Sequence, residues 1–459
     1  MPRLVPTLAL AALALTLGAG GCGDNQKASQ FPATDCTDVQ GTCVEIAGGD
    51  SAALQTATNT ISANTTLVLG AGRFMLDNQV TIRTAGAHLI GQGIDITTLD
   101  FAPTTTQVNG VDVVGNDFLI QDLTVIDAKK DGIRVEASKG VVYRRIKVTS
   151  STPSLTSNGA YGIYPVKSQN VLVENSIAEH ASDAGLYVGQ CQHVIIRNNR
   201  VTGNVAGLEI ENTQYADVYG NTAEDNAGGI VVFDLPGNPI VGRDVRLRDN
   251  IIRNNNHTNF GTPGTTVASI PVGTGTFAMA SRRVEITGNT YENNNTSDIS
   301  LISGLVVEDD FTKWTLPTSQ LAGTFDDLEL LSAAPGTIMN FRSENIVVAN
   351  NTHSGSGLHP DPRDPMGLGL LLLLSFGGQP VASVLYDAIG EPEFHSTDAT
   401  QNSNANHMCV GGNSGTFASM ALDMQSQTSQ VAFFRPASPF KPFDCTALVG
   451  GPVADVVLP

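Results

Sequence analysis

The chain has 459 residues, with 25 basic and 44 acidic side chains and a net charge of −19. This balance argues against a nucleic-acid partner, whose phosphates need a basic surface, and against docking on anionic lipid through charge. Only 15% of the residues are charged and 41% are hydrophobic, so most of the chain is expected to fold rather than remain disordered. The 47 glycines are typical of a chain that turns often, which indicates internal repetition.

The N-terminus has the pattern of an export signal. Arg3 precedes an apolar stretch over 8–17, and small residues stand directly ahead of Cys22. The stretch is too short to span a bilayer, and the pattern predicts a signal peptide over 1–21. The small residues before the cysteine resemble a bacterial lipoprotein cleavage site, which predicts lipidation of Cys22.

In that motif Leu usually stands where this chain has Ala19. Cleavage by ordinary signal peptidase is therefore the alternative to lipidation. Both interpretations predict an exported protein of the bacterial cell envelope. It is either an outer-membrane lipoprotein, which would touch the membrane only through its lipid anchor, or a periplasmic protein. A polar linker is expected over 22–49.

Six cysteines in an exported protein favour disulfides. Cys36 and Cys43 lie close together in a polar segment, and Cys409 and Cys445 bracket the C-terminal region, so each pair is predicted to form a local disulfide. Cys191 lies within the repetitive part of the chain and is predicted to be a small buried residue rather than a nucleophile.

From residue 110 onward the sequence repeats at intervals of roughly 22 residues. Each unit begins with Gly and a short segment of strand character, at 110–113, 132–135, 162–165, 185–188, 207–210 and 229–232. A second apolar run follows in each unit, and behind it come Asn199, Asn221, Asn250, Asn289 and Asn351. Alternation within short runs and the lack of a helical period predict a coil of stacked parallel β-strands.

In such a coil two columns of apolar side chains point inward. They are Ile133, Ile163, Leu186, Leu208 and Ile230, and Val135, Pro165, Val188, Ile210 and Val232. The Gly of each unit is expected to supply backbone freedom at a corner, and the Asn column to bond its amides to the next turn as a structural feature.

Both ends of a coil expose strand edges that must be covered. We expect the coil over 50–356, with a helix begun by Asp50 or Ser51 covering its first turn. An irregular capping region over 357–459 is expected at the other end, where the apolar run 368–376 is predicted to be a buried strand or a cap helix. Insertions at about 234–244, 256–280 and 303–343 are expected to emerge as loops on one side, which favours a groove there.

The stretch 158–235, which includes Asn-Gly-Ala-Tyr-Gly-Ile-Tyr-Pro-Val and Asp-Ala-Gly-Leu-Tyr-Val-Gly-Gln, resembles exported bacterial proteins with right-handed parallel β-helix repeats in the pectate-lyase-like superfamily. The resemblance is strongest to a subgroup of unassigned function. It implies an all-β solenoid and carbohydrate, a polysaccharide or an envelope glycan, as the first guess for a ligand. It implies no reaction, because the superfamily includes lyases, hydrolases, epimerases, binding modules and structural proteins.

Polar and aromatic residues occupy the outward positions of the first strands. The predicted ligand-binding residues are Arg134, Tyr164, Lys167, Tyr187, Gln190, Asn212 and Asp234. Aromatic rings flanked by acids and amides suit a sugar. Glu209 and Glu211 point the same way from one strand and are the candidate catalytic pair, because two carboxyl groups can divide acid and base roles. The alternative is that both are solvated acids on a half-exposed sheet face.

A lyase or epimerase acting on a uronate needs a cation to stabilise carboxylate charge and a base for the α-proton. Arg134 and Lys167 could supply the cation, and Tyr187 or His180 could carry the proton. The sequence contains no distinctive catalytic motif of those families.

No cofactor or metal site is predicted. Asp183 and Asp234 could ligate calcium, but no Asp/Asn-rich loop of calcium-site spacing is present in the sequence. Three hypotheses follow. The protein binds a glycan without altering it, or it is a carbohydrate-active lyase, hydrolase or epimerase, or it is an interaction scaffold for another exported protein.

Overall fold

The computed structural model describes residues 35–238, 240–317, 319, 332–334, 337–362, 368–393, 401–421, 432–434 and 441–459. Cys22 and the predicted export signal lie outside these residues. Within the described ranges, no helix combines the length and the apolar character needed to span a bilayer.

Helices are few in the described part of the chain. They are α1 Ser51–Thr60, α2 Leu368–Phe376, and short 3₁₀ helices at Cys36–Asp38, Val267–Ser269, Gly304–Val306 and Phe311–Trp314. The Asp50 carboxylate caps α1 by accepting a hydrogen bond from the backbone N–H of Ala53 at 2.9 Å, and Leu54 is buried in the first turn of the coil. The capping helix predicted from the sequence is confirmed, and the apolar run at 368–376 is a helix rather than a strand.

The strands are short, and most pair in parallel with the strand one turn away. In chain order they are β1 Thr42–Ile46, β2 Thr65–Leu69, β3 Gly72–Met75, β4 Val80–Ile82, β5 His88–Ile90, β6 Thr97–Asp100, β7 Val111–Val113, β8 Phe118–Ile126, β9 Ile133–Glu136, β10 Lys139–Thr149, β11 Tyr161–Val166, β12 Gln169–Glu174, β13 Ile177–Glu179, β14 Ala184–Gly189, β15 Gln192–Arg197, β16 Arg200–Thr202, β17 Ala206–Glu211, β18 Gln214–Tyr219, β19 Thr222–Glu224, β20 Gly228–Phe233, β21 Arg243–Arg248, β22 Ile251–Arg253, β23 Thr274–Met279, β24 Arg282–Thr287, β25 Thr290–Glu292, β26 Ser297–Ile302, β27 Thr315–Pro317, β28 Ser332–Ala334, β29 Thr337–Met339, β30 Glu344–Ala349, β31 Thr352–Ser354, β32 Val384–Tyr386, β33 Met408–Gly411, β34 Phe417–Ala421 and β35 Ala432–Phe434.

These strands form two long sheets and one small one. A 12-stranded sheet stacks β4, β7, β9, β11, β14, β17, β20, β23, β26, β32 and β34 in chain order and ends with the antiparallel β35. A 20-stranded sheet collects the other strands of each turn, and the antiparallel strands β27, β29 and β28 form a separate sheet. Successive turns therefore coil into a parallel β-helix, as predicted.

Both predicted inward columns are confirmed. In the register of the 12-stranded sheet, Ile133 lies opposite Ile163. Leu186, Leu208 and Ile230 continue the column in the next three turns. All five are fully buried. Full burial of such a side chain contributes roughly 1.5–3 kcal/mol, so repetition of the column stabilises every turn.

The Asn column is structural, as predicted. The side chains form a ladder in which each Nδ2 donates to the Oδ1 of the next at 2.9 to 3.1 Å; its members are Asn199, Asn221, Asn250, Asn289, Asn351 and Asn413. A second ladder, which the sequence did not reveal, links Asn204, Asn226, Asn255 and Asn294. Both ladders satisfy buried backbone groups at the corners of the coil.

The predicted role of the repeated glycines is wrong. Gly162 is the second residue of β11 rather than a corner, and a Cβ there would lie 2.4 Å from the carbonyl oxygen of Gly185 in the next turn. Close approach of stacked backbones is therefore the reason for glycine. The left-handed corners lie at the strand exits, where Lys167, Gln190 and Asn212 have φ of 51°, 50° and 42°.

The coil extends past both boundaries expected from the sequence. β1 lies in the segment predicted to be a linker, and it pairs in parallel with β2. At the other end, β32 and β34 continue the 12-stranded sheet and β33 continues the 20-stranded sheet.

The two predicted cysteine pairs, Cys36–Cys43 and Cys409–Cys445, are disulfides in the structure. Cys191 is free and buried, which confirms its assignment as a small interior residue.

Candidate functional site

The outer face of the 12-stranded sheet carries a cavity of about 360 Å³, which we call the acidic cavity. Its polar lining is Tyr161, Asp183, Glu209 and Glu211. Its apolar lining includes Val231, Phe233, Leu235, Phe277 and Met279. It is bounded as well by residues 264–267, Ser269, Ile270 and Val307. Residues of all three predicted insertions therefore line one site on one side of the coil. The insertion expected at 256–280 is shorter than predicted, because Thr274–Met279 is strand β23 of the 12-stranded sheet.

This site is covered rather than an open groove. Glu209 is 3% exposed and Glu211 is 8% exposed, so the interpretation of the two glutamates as solvated surface acids is wrong. The reason is the insertion at 256–280, whose residues Val267 and Ile270 pack into one apolar cluster with Tyr187. Residues 264–266 are exposed, so the cavity wall reaches solvent there.

The covering loop is held by its own hydrogen bonds. Asn259 Nδ2 donates to the carbonyl oxygens of Val267 at 3.0 Å and Ile270 at 3.1 Å. The hydroxyl of Thr156, from an earlier turn, donates to the carbonyl oxygen of Phe260 at 2.8 Å. These contacts fix the loop over the sheet.

Asn212 and Asp234, both predicted to bind ligand, instead hold the insertion at 234–244. Asn212 is fully buried; its Oδ1 accepts from the backbone N–H of Leu235 at 2.9 Å. The Asp234 carboxylate accepts from the N–H of Gly242 at 2.9 Å and pairs with Arg282 at 3.3 Å. Burial raises the pKa of Asp234 to about 6. Neither side chain lines the acidic cavity.

Glu211 is a firmly held carboxyl group. Its Oε2 accepts from the Tyr187 hydroxyl at 2.8 Å, and its Oε1 accepts from Nδ2 of Asn238 at 2.6 Å and Nε2 of Gln190 at 3.4 Å. Burial raises the pKa of Glu211, and these hydrogen bonds oppose the rise. Gln190 and Tyr187, predicted as ligand contacts, therefore position Glu211 instead.

Glu209 differs sharply from Glu211 although both belong to β17. It lines the cavity, and no described residue donates a hydrogen bond to its carboxyl group. Burial raises the pKa of Glu209 well above its ordinary value, and the negative charges of Asp183 and Glu211 raise it further. Its carboxyl group is thus buried, faces the cavity and lacks a protein partner among the described residues.

Asp183 is the third acid of the cavity, at the bend directly before β14. Burial raises the pKa of Asp183 to about 7 against the opposing hydrogen bond of the Tyr161 side chain. The sequence pattern indicates Asp183 only as a candidate calcium ligand and does not indicate Tyr161. The one available signal was an acidic residue standing immediately ahead of a first strand.

Three tyrosine rings pack together beside the cavity. Ring centroids are 4.6 Å apart for Tyr161 and Tyr164, 4.6 Å for Tyr161 and Tyr187, and 4.9 Å for Tyr164 and Tyr187. Only Tyr161 of the three lines the cavity. Burial raises the pKa of Tyr164 to about 12, so its hydroxyl stays protonated.

The predicted cations lie elsewhere. Arg134 pairs with Asp112 at 3.2 Å and with Glu136, and the exposed Lys167 lies 3.6 Å from Glu136. Neither of them lines the cavity, nor does His180. In the part of the chain that the structure describes, no three His, Cys, Asp or Glu side chains are grouped to hold a metal ion.

Comparison with known proteins defines the class of the fold. The sequence family described as right handed beta helix region matches residues 84–242 and 131–312. This chain is therefore a right-handed parallel β-helix repeat protein. No curated protein sequence matches it significantly.

Several solved structures are similar in fold. The A-module of the mannuronan C-5 epimerase AlgE4 of Azotobacter vinelandii is 14% identical with a TM-score of 0.45, over 80% of this chain and 92% of that one. The periplasmic alginate epimerase AlgG is 12% identical with a TM-score of 0.40, over 69% of each chain. The catalytic unit of a GH87 alpha-1,3-glucanase from Streptomyces thermodiastaticus is 12% identical with a TM-score of 0.45, over 84% of this chain and 56% of that one. None of these similarities assigns a ligand or a reaction to this chain.

Proposed function

We propose that this protein is an exported protein of the bacterial cell envelope that binds carbohydrate in the acidic cavity. The observation that carries the proposal is the Glu209 carboxyl group, which is buried, faces the cavity and has no described partner. A buried polar group without a partner costs about 1–3 kcal/mol, so a ligand hydroxyl that bonds to it gains affinity. The Tyr161 ring and the apolar wall suit the CH face of a sugar, and the volume is that of a small-molecule site.

A glycan array followed by titration calorimetry tests this proposal. Wild-type protein should bind at least one polysaccharide or envelope glycan, and Glu209→Gln and Tyr161→Leu should each weaken that binding about tenfold or more. Glu224→Gln is the matched control, because Glu224 lies on the 20-stranded sheet and pairs there with Arg200 and Arg253. A folded protein that binds no glycan would contradict the proposal and favour the interaction scaffold.

A carbohydrate-active enzyme, a lyase, hydrolase or epimerase, is the second candidate. It is favoured by the unequal environments of Glu209 and Glu211, one without a partner and one with three hydrogen bonds. Carboxyl groups in unequal environments can divide acid and base roles. Release of reducing ends, release of an unsaturated product, or a changed uronate composition measured by NMR, abolished by Glu209→Gln while binding persists, would establish a hydrolase, a lyase or an epimerase respectively. A bound glycan that is neither cleaved nor epimerised would exclude catalysis for that glycan.

The lipid anchor is a separate part of the proposal. Mass spectrometry of membrane fractions should find an acylated N-terminal Cys22 after loss of the first 21 residues. Cys22→Ser should then release the protein from the membrane fraction. A soluble mature chain whose Cys22 carries no lipid would show that ordinary signal peptidase processes it.

A further inference from the structure

The charged groups of the acidic cavity are all of one sign. Asp183, Glu209 and Glu211 line it, and no described lining residue is Lys, Arg or His. The nearby cations already have partners outside it: Arg134 pairs with Asp112, and Arg282 pairs with Asp234. The three carboxyl groups therefore share a buried site with no counter-ion from the described protein.

Two of the three acids already have uncharged hydrogen-bond donors from the protein. Glu211 accepts hydrogen bonds from Tyr187, Asn238 and Gln190. The Tyr161 side chain acts on Asp183 as a hydrogen-bond donor that opposes the rise of its pKa. Glu209 alone lacks a described donor, and it lines the cavity together with the two other acids, whose negative charges act on it. A ligand that fits the cavity would therefore place a hydrogen-bond donor at the Glu209 carboxyl group.

Three chemical kinds of sugar would meet this arrangement differently. A uronate would bring a further negative charge into a site where charges interact more strongly than in water. A neutral hydroxyl would satisfy one hydrogen bond but would not offset the negative charge that these acids carry when they are ionised. An ammonium group offers three N–H donors and a positive charge, and Tyr161 in the lining adds a cation–π attraction.

We infer that the acidic cavity is selective for a sugar unit that carries a positively charged amino group, with Glu209 as the residue that determines this selectivity. The inference rests on the proposed function, since it specifies the carbohydrate that the cavity takes. This selectivity for a positively charged sugar distinguishes the acidic cavity from a site that binds negatively charged uronates. The ammonium binds at the Glu209 carboxyl group, and the sugar ring lies against the apolar wall of the cavity.

Calorimetry with three matched oligosaccharides tests the inference on the full chain in about 0.15 M salt, where exposed charges are screened within roughly 8 Å. The probes are tetramers of glucosamine, N-acetylglucosamine and galacturonic acid. We expect the glucosamine tetramer to bind about tenfold or more tightly than the N-acetylated tetramer, and the galacturonic acid tetramer to bind most weakly. N-acetylation removes the charge and keeps the ring, so this ratio isolates the amino group.

Variants show whether Glu209 is responsible. Glu209→Gln should lower the preference for glucosamine to about onefold, whereas Glu224→Gln should keep it; thermal unfolding checks that both are folded. If Glu209→Gln does not fold, Asp183→Asn should reduce the preference in the same direction. A preference that persists in Glu209→Gln reflects the overall negative charge of the protein and overturns the inference.

The remaining outcomes separate the inference from the proposed function. Equal or tighter binding of the N-acetylated or galacturonic acid tetramer overturns the amino selectivity and leaves carbohydrate binding in place. Failure to bind any of the three, together with a negative glycan array, overturns both.

Discussion

The hydroxyl of Tyr187 donates a hydrogen bond to Oε2 of Glu211 at 2.8 Å, across one turn of the coil. Tyr187 reaches this position by lying over Gly189 of its own strand, where a Cβ would come within 2.2 Å of the hydroxyl oxygen. Gly189 and Glu211 are register partners in β14 and β17. A glycine in one turn thus lets an aromatic side chain position an acid of the next turn.

Tyr187→Phe should destabilise the protein by about 1–2 kcal/mol, because buried Glu211 loses one of its hydrogen bonds. Loss of that donor to the charged form should also raise the pKa of Glu211 further. Urea unfolding measures the change in the free energy of unfolding. Tyr219→Phe is the control: Tyr219 accepts from Arg197 at 3.2 Å on the 20-stranded sheet and is half-buried, so its loss should change the free energy by less than about 0.5 kcal/mol. Equal effects of the two variants would contradict this account.

Gly189→Ala should destabilise the protein by about 1–3 kcal/mol and displace the Tyr187 ring, because the three atoms nearest to an added Cβ all belong to Tyr187. A double-mutant cycle separates this clash from other effects. In a Tyr187→Ala background, Gly189→Ala should change the free energy of unfolding by less than about 0.5 kcal/mol. An unchanged effect in that background would show that another contact excludes the methyl group.

Asn221→Ala should destabilise the protein by about 3 kcal/mol or more, because Asn221 sits in the middle of its ladder. Its Oδ1 accepts from the backbone and side chain of Asn199, and its Nδ2 donates to Asn250 and Ile196, so alanine leaves several buried groups unpaired. Asn413→Ala is the matched control at the end of the ladder, where the side chain is half-buried. Its effect, measured by the same denaturant unfolding, should be clearly smaller; a larger one would refute the ladder argument.

Stability should fall as the pH rises from about 4 to about 7. Burial raises the pKa of Asp183 and Asp387 from 3.8 to about 7 in the folded protein. Between these pH values the folded protein therefore holds protons that the unfolded chain releases, and each such proton lowers stability by up to about 1.4 kcal/mol per pH unit. Asp183→Asn should reduce this slope, as measured by unfolding at several pH values.

Asp217→Asn serves as the control of opposite sign. Burial acts to raise the pKa of Asp217, but the hydrogen bonds and charges of Arg246 and Arg248 outweigh it and lower the pKa. Its stabilisation is present above the ordinary pKa of 3.8 and is lost as the pH falls through the lower folded value. The variant should lose stability evenly between about pH 5 and 7. A slope that changes as it does in Asp183→Asn would disprove the assignment.

Part of the candidate site was predictable from strand alternation. Their outward positions on one strand predict Glu209 and Glu211 as site residues, and both line the cavity. The alternation of strand residues does not predict that Asn212 and Asp234 hold the loop at 234–244. Their hydrogen-bond partners belong to that insertion, which lies outside the repeat. Tyr161 begins β11 and precedes the repeated Gly-led motif, so the repeat does not mark it as a site residue.

The sequence alone determined the coil: a fixed repeat places Ile133, Ile163 and Leu186 above one another, and burial of this column requires each turn to stack on the next. The stacked Asn199 and Asn221 follow from the same repeat. Only the tertiary structure decided that the outer face is covered, because the part of the insertion that precedes β23, residues 256–273, does not follow the repeat and its position depends on packing against the sheet. That packing converts outward acids into buried ones, and burial changes their chemistry.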